Sequence, residues 1–132
     1  MTDMRQRYLY RGKSKDDWVT GFYRETQGFN DTTLQLIHSV QLGCEDYEID
    51  LATLGQCTGL KDRNGKLIFE GDILRQTHRK SENVLLMVRY SGKDAAFYGY
   101  TSYGSPRSIC YSDCYTEVIG NEHDDKLEDF TP

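Results

Sequence analysis

The chain has 132 residues, 37% hydrophobic and 28% charged, a balance that suits one small globular domain with a single core. Its net charge of −5 argues against a surface that attracts polyanions as a whole. The longest apolar run, Val84–Val88, is far too short to span a membrane, and Met1 precedes polar residues rather than an apolar leader, so a cytoplasmic protein with no membrane partner is expected.

The charge is unevenly placed. Residues 1–15 carry five basic and one acidic side chain, whereas residues 16–60 carry one basic and eight acidic. The basic set, Arg5, Arg7, Arg11 and Lys13 with Lys15, is the natural candidate for local contact with nucleic-acid phosphate. A solvated strand face is the favoured reading, because nucleic-acid footprints usually show domain-wide basicity.

In chain order, Tyr8–Tyr10 and Trp18–Tyr23 are rich in β-formers and read as a first hairpin, with Gly12–Asp17 as polar turn material. Thr32–Val40 places Leu34, Leu36, His38 and Val40 at period two, with Ile37 interrupting, and suggests a strand with one buried face. His38 shares that apolar set and is expected to be a satisfied core histidine. Cys44–Asp50 alternates Glu45, Asp46, Glu48 and Asp50 with Tyr47 and Ile49, as an exposed edge strand does when charge discourages pairing. The same acids could ligate a divalent cation, but no calcium-loop spacing accompanies them. Asp50–Gly55 is expected to form one helical turn with Asp50 as N-cap.

The segment Gln56–Gln76, QCTGLKDRNGKLIFEGDILRQ, holds the strongest turn signal. Asp62-Arg63-Asn64-Gly65 predicts a type I turn closed by a left-handed Gly65, flanked by strands at Thr58–Lys61 and Lys66–Phe69. Glu70-Gly71-Asp72 is a second, weaker turn before Ile73 and Leu74, so the three runs read as a meander. No glycine spacing here matches a phosphate-binding loop.

Val84–Tyr90 reads as the central strand, buried on both faces. Ser91–Asp94 turns the chain, and Ala95–Tyr100 returns beside it. A Gly/Ser/Tyr/Pro loop is expected from Gly99 to Ser108, within a region of seven aromatics between Tyr90 and Tyr115. Tyrosine offers contact area at little entropic cost, so Tyr98, Tyr100, Tyr103 and Arg107 are the candidate binding residues. Aromatic cross-strand packing is the structural alternative. Thr116–Ile119 is a last short strand, and an acidic tail begins at about residue 121.

A zinc site would use four cysteine ligands, and only half of that pattern is present: the three residues between Cys110 and Cys114 fit the two to four or so of paired knuckles, and the twelve between Cys44 and Cys57 do not. Reduced thiols are expected, with no bound metal and no cofactor. His38, His78 and His123 lie in different elements. A Cys110 or Cys114 thiol could in principle pair with His123, but nothing in the spacing supports it. Asp62, Glu70 and Asp72 are ordinary turn residues, so no catalytic residue is assigned and the chain is read as a non-enzyme; a metal- or thiol-dependent enzyme is the minority reading.

Three blocks resemble the YopX family, small proteins of bacterial phages and prophages. They are RGKSKDDWVTGFY at residues 11–23, GQCTGLKDRNGKLIFEGDIL at residues 55–74 and TEVIGNEHDDKL at residues 116–127. Cys57 departs from the family's tendency to an aromatic residue there. The resemblance implies one mainly β domain over residues 1–132 and carries no activity or catalytic residues with it. Together with the residues it predicts about eight or nine short strands in a small barrel or strongly bent antiparallel sheet with little helix, α+β being the alternative. It leaves two functional expectations. One is a non-enzymatic phage accessory protein that binds a phage or host macromolecule or assembles as a homo-oligomer. The other, disfavoured, is nucleic-acid binding through the basic N-terminal segment.

Overall fold

The computed structural model describes residues 8–39, 42–78, 83–109, 114–125 and 130; of Cys114 only the backbone is described. Arg5, Arg7 and Cys110 therefore lie outside the described residues. The protein is mainly β with little helix, a short 3-10 turn at Phe29–Asp31 among it, and its strands form antiparallel sheets, none of which closes into a barrel among the described residues. Contact density divides the chain into two compact units, one ending at Cys57 and the other beginning at Thr58.

In the first unit the strands lie in the order β4 (Glu45–Glu48), β3 (Thr33–Ser39), β2 (Asp17–Gln27), β1 (Tyr10–Ser14) and β5 (Asp50–Lys61), of which β5 continues into the second unit. The first hairpin is real but its turn is tighter than the polar stretch Gly12–Asp17 suggests. Ser14 pairs with Asp17, and Lys15 takes a left-handed φ of 59°. Gly12 sits inside β1 because Ile49 lies over it: a Cβ there would approach the Ile49 side chain to 2.7 Å. Val19, Ile37 and Ile49 form the core of this unit, with Tyr10, Tyr23, Tyr47 and Leu54 packed around them.

Two expectations fail here. His38 is not a core residue: its Nδ1 meets Asp46 Oδ1 at 2.9 Å at the surface, while Ile37, which interrupts the alternation, is fully buried. Strict alternation does not hold: Leu36 of the expected set is buried, but so are its neighbour Ile37 and Ser39, while His38 is not. Residues 50–55 are strand rather than helix. Asp50 does cap locally, accepting from the Ala52 N–H at 3.1 Å, but the backbone then runs on as β5 against β1. The acidic segment at residues 45–48 is the edge strand it was read as.

In the second unit the end of β5 turns into β6 (Leu67–Phe69), and a five-stranded sheet follows in the order β10 (Pro106–Arg107), β9 (Ala96–Tyr100), β8 (Asn83–Ser91), β7 (Asp72–His78) and β11 (Cys114–Asn121). The predicted turn is present. Gly65 has φ 82°, the Gly65 N–H donates to the Asp62 carbonyl at 3.0 Å, and the Asp62 N–H donates to the Lys66 carbonyl at 2.8 Å. The meander is not. β6 pairs with β5, while β7 belongs to the five-stranded sheet, so the Glu70–Gly71 turn carries the chain from one sheet to the next. The buried Asp72 carboxylate ties that corner by accepting the Phe69 N–H at 2.8 Å.

β8 is central by position but is not buried on both faces. Leu86 and Val88 are inaccessible and join Ile68, Leu74 and Ile109 in the core, whereas Leu85, Met87 and Arg89 are only half-buried. An antiparallel sheet with one covered face gives alternating burial even when the strand sequence is apolar throughout.

Candidate functional site

The tyrosine-rich residues Tyr98, Tyr100 and Tyr103 lie on and beside β9 in the second unit. The stretch from Gly99 to Ser108 is no open loop. Thr101-Ser102-Tyr103-Gly104-Ser105 is a tight turn: the Gly104 N–H donates to the Thr101 carbonyl at 2.9 Å, and the Thr101 N–H to the Ser105 carbonyl at 3.0 Å. Gly104 takes φ 81°, which a side chain would resist. The Thr101 Oγ1 also accepts the Ser105 N–H at 3.1 Å. The turn holds Tyr103 at its tip, 95% exposed.

The register sorts the candidate residues by face. Tyr98 lies opposite Arg89, and Tyr100 opposite Met87 on one side and Pro106 on the other. These residues share the face away from the Leu86–Val88 core, because cross-strand partners point the same way. The Tyr98 and Tyr100 rings meet edge to face, with centroids 6.3 Å apart. Arg107 pairs with Gly99 and so belongs to the opposite face. The structure thus brings Tyr98 and Tyr100 together with Met87 and Arg89, sets Tyr103 beyond them, and separates Arg107 from them.

The electrostatics of this face are mixed. The negative charge of Asp94 nearby, with partial burial and a hydrogen bond from the phenol to that carboxylate, holds the Tyr98 phenol above the usual tyrosine range. The Arg89 guanidinium bonds the Glu122 carboxylate, which also lies 3.4 Å from His123 Nε2. The surface therefore offers phenol hydroxyls and apolar rings rather than a net charge. Asp94 and Pro106 were missed as members of this site. Neither has a local signature, since both join it through the β8–β9 and β9–β10 turns.

The basic candidates Arg11 and Lys13 lie in the first unit. The Arg11 guanidinium sits 4.8 Å from the Trp18 ring centroid and the Lys13 ammonium 5.3 Å from it. Trp18 is the cross-strand partner of Lys13, a relation that counting outward from a turn at Lys15-Asp16 would have found. Arg24 and His38 both engage Asp46, whose carboxyl is held below the usual range first by the His38 hydrogen bond and then by the Arg24 charge, against a partial desolvation.

The described residues contain no group of His, Cys, Asp and Glu arranged to hold a metal. The tail acids are committed to their own turn: Asn121 Nδ2 donates to Asp124 Oδ2 at 3.0 Å, and the Asn121 N–H donates to Asp125 Oδ2 at 3.2 Å. Cys57 is buried and Cys44 is exposed. No helix among the described residues is long and apolar enough to cross a membrane.

Among curated proteins none matches the chain. The family described as YopX protein matches residues 9–127, which takes in both units and every strand described above, and the chain belongs to the YopX family.

Proposed function

We propose that this chain is a non-catalytic binding protein, an accessory protein of a phage or prophage that works in the cytoplasm of the host cell by contacting another macromolecule. The observation that carries the reading is Tyr103, held 95% exposed at the tip of a hydrogen-bonded turn beside the Tyr98–Tyr100 pair. An aromatic ring on a rigid turn loses little conformational entropy when it is covered, which favours its use as an anchor. The partner is a phage or host protein, or a further copy of this chain.

The test compares partners captured in the host by the wild-type chain and by Tyr103→Ala and the Tyr98→Ala/Tyr100→Ala pair, with light scattering of the purified proteins alongside. The reading expects a partner, or a self-association, that the substitutions weaken. A wild-type chain that is monomeric and captures nothing, or variants that keep every partner at wild-type level, would sink it.

One observation favours a second reading. Arg11 and Lys13 share a strand face with Trp18, and cations beside an indole are what single-stranded nucleic acid uses for phosphate contact and stacking. It predicts salt-sensitive binding of an oligonucleotide, weakened by Arg5, Arg7, Arg11 and Lys13 substitutions. Absence of a mobility shift with single- or double-stranded DNA or RNA at low salt removes it.

A further inference from the structure

A sheet edge offers unpaired backbone groups to any passing strand, and folded proteins blunt such edges. The edges here are guarded by different means. In the first unit β4 carries Glu45, Asp46 and Glu48, three acids in four residues. In the second, β10 is two residues long and one of them is Pro106, which has no N–H to donate. β11, at the other end of that sheet, has neither device. It runs eight residues, CYTEVIGN, with Glu117 as its one charge and Tyr, Thr, Val and Ile as strong β-formers.

Its protection comes from elsewhere in the chain. Residues 116 and 118 direct their backbone groups away from β7. The Thr116 carbonyl accepts the Arg63 N–H at 2.8 Å, and the Val118 N–H donates to Asp62 Oδ2 at 3.0 Å. The Arg63 guanidinium lies 5.2 Å from the Tyr115 ring centroid, over the same stretch. A register irregularity between Val118 and Gly120 disrupts the farther half of the strand. Asp62 is itself 7% exposed, and its Oδ1 accepts the Asn64 and Lys66 N–H groups, both at 2.9 Å. One carboxylate thus closes its own turn with one oxygen and a strand edge with the other.

We infer that the Asp62–Arg63 corner is an edge cap that keeps β11 from accepting a further strand, and that the strand it excludes is β11 of a second copy of this chain. A second copy is the fitting occupant because antiparallel pairing of a strand with itself is isologous: each copy offers the same outward groups of Thr116 and Val118 to the other. The single acid per strand opposes such pairing far less than the three acids of β4 would. With the corner in place the position is taken, and the sheet ends at five strands.

The experiment uses the full chain and Asp62→Ala, with light scattering across a concentration series and amide hydrogen exchange read at Val118. In the wild type the Val118 amide is expected to be protected although it faces away from β7. In Asp62→Ala it exchanges faster in dilute solution, the self-association constant rises by at least about tenfold, a shift on the order of 1.4 kcal/mol, and Val118 regains protection as the concentration rises. Unchanged association in a variant that keeps its β circular dichroism overturns the inference. So does association that leaves Val118 unprotected, since contact would then lie elsewhere. Should Asp62→Ala fail to fold, the wild-type measurement still decides: a Val118 amide that exchanges as fast as a free edge amide rules the cap out.

Discussion

Two turns of the second unit share a backbone design and differ in almost everything else. Asp62–Lys66 and Thr101–Ser105 each close with a carbonyl-to-N–H bond onto a left-handed glycine, and in each the first side chain accepts the N–H of the fifth residue. Yet Asp62 is buried and also reaches Val118, while the Thr101 turn stands clear and exposes Tyr103 almost completely. The comparison teaches that turn chemistry fixes the local path of the chain and nothing more. Whether a turn becomes a structural tie or a presented tip depends on what lies beyond it.

Substitutions test how far the two turns differ. Leu86→Ala removes a fully buried side chain from the core of the unit that carries both turns. It is expected to cost roughly 2–5 kcal/mol in a denaturation titration and to loosen both turns together. Next comes Asp62→Ala, which leaves three backbone N–H groups without the carboxylate and is expected to cost roughly 2–4 kcal/mol, whereas Thr101→Ala is expected to cost under about 1 kcal/mol. Equal costs for the two would erase the distinction.

The glycines supply the internal control. A Cβ at Gly65 or at Gly104 would meet nothing within 4 Å, so Gly65→Ala and Gly104→Ala test backbone strain alone. Each should cost about 1–2 kcal/mol, and a large difference would show that the turns are not the same object. Tyr103→Ala is the smallest, within about 0.5 kcal/mol of wild type in stability, yet it is expected to weaken partner capture.

pH separates the turns as well. Burial raises the Asp62 pKa, but the N–H groups of Val118, Lys66 and Asn64, with the Lys66 charge, outweigh it and hold the carboxyl below its ordinary value. A folded-state pKa below the unfolded one gives stability that is fully present above the unfolded value, about 3.9, and lost as pH falls through the folded one. Acid unfolding curves of wild type and Asp62→Asn should therefore converge at low pH, whereas Thr101 variants should shift the curve without changing its shape.

Much of the fold was legible from local chemistry. The Gly65 conformation, the β5–β6 hairpin and the acidic edge strand follow from residues close in sequence, so a linear reading reaches them. The misses share a cause. His38 left the core and Ile37 joined it because alternation assumes that only one face is covered, whereas the neighbours Leu36 and Ile37 are both buried. β8 was read as doubly buried because an apolar run does not reveal whether its second face has a neighbour. The helical reading of residues 50–55 lost to the pairing of β5 with β1, a long-range contact that overrides a local cap. Of the candidate site, Tyr98 and Tyr100 emerged as a pair, but Arg107 fell on the other face once β10 paired with β9.

Membership of the YopX family and a mainly β fold can be read from the residues alone, and so can the conformation of the turn at Asp62–Lys66, because glycine, asparagine and aspartate constrain the backbone at the positions they occupy. What that turn does is set by contacts between segments far apart in the chain. The Asp62 carboxylate meets Val118 across 56 positions of chain, and no local propensity encodes such a meeting. It exists because the β5–β6 hairpin and the β7–β11 pairing bring two distant backbones within hydrogen-bond reach.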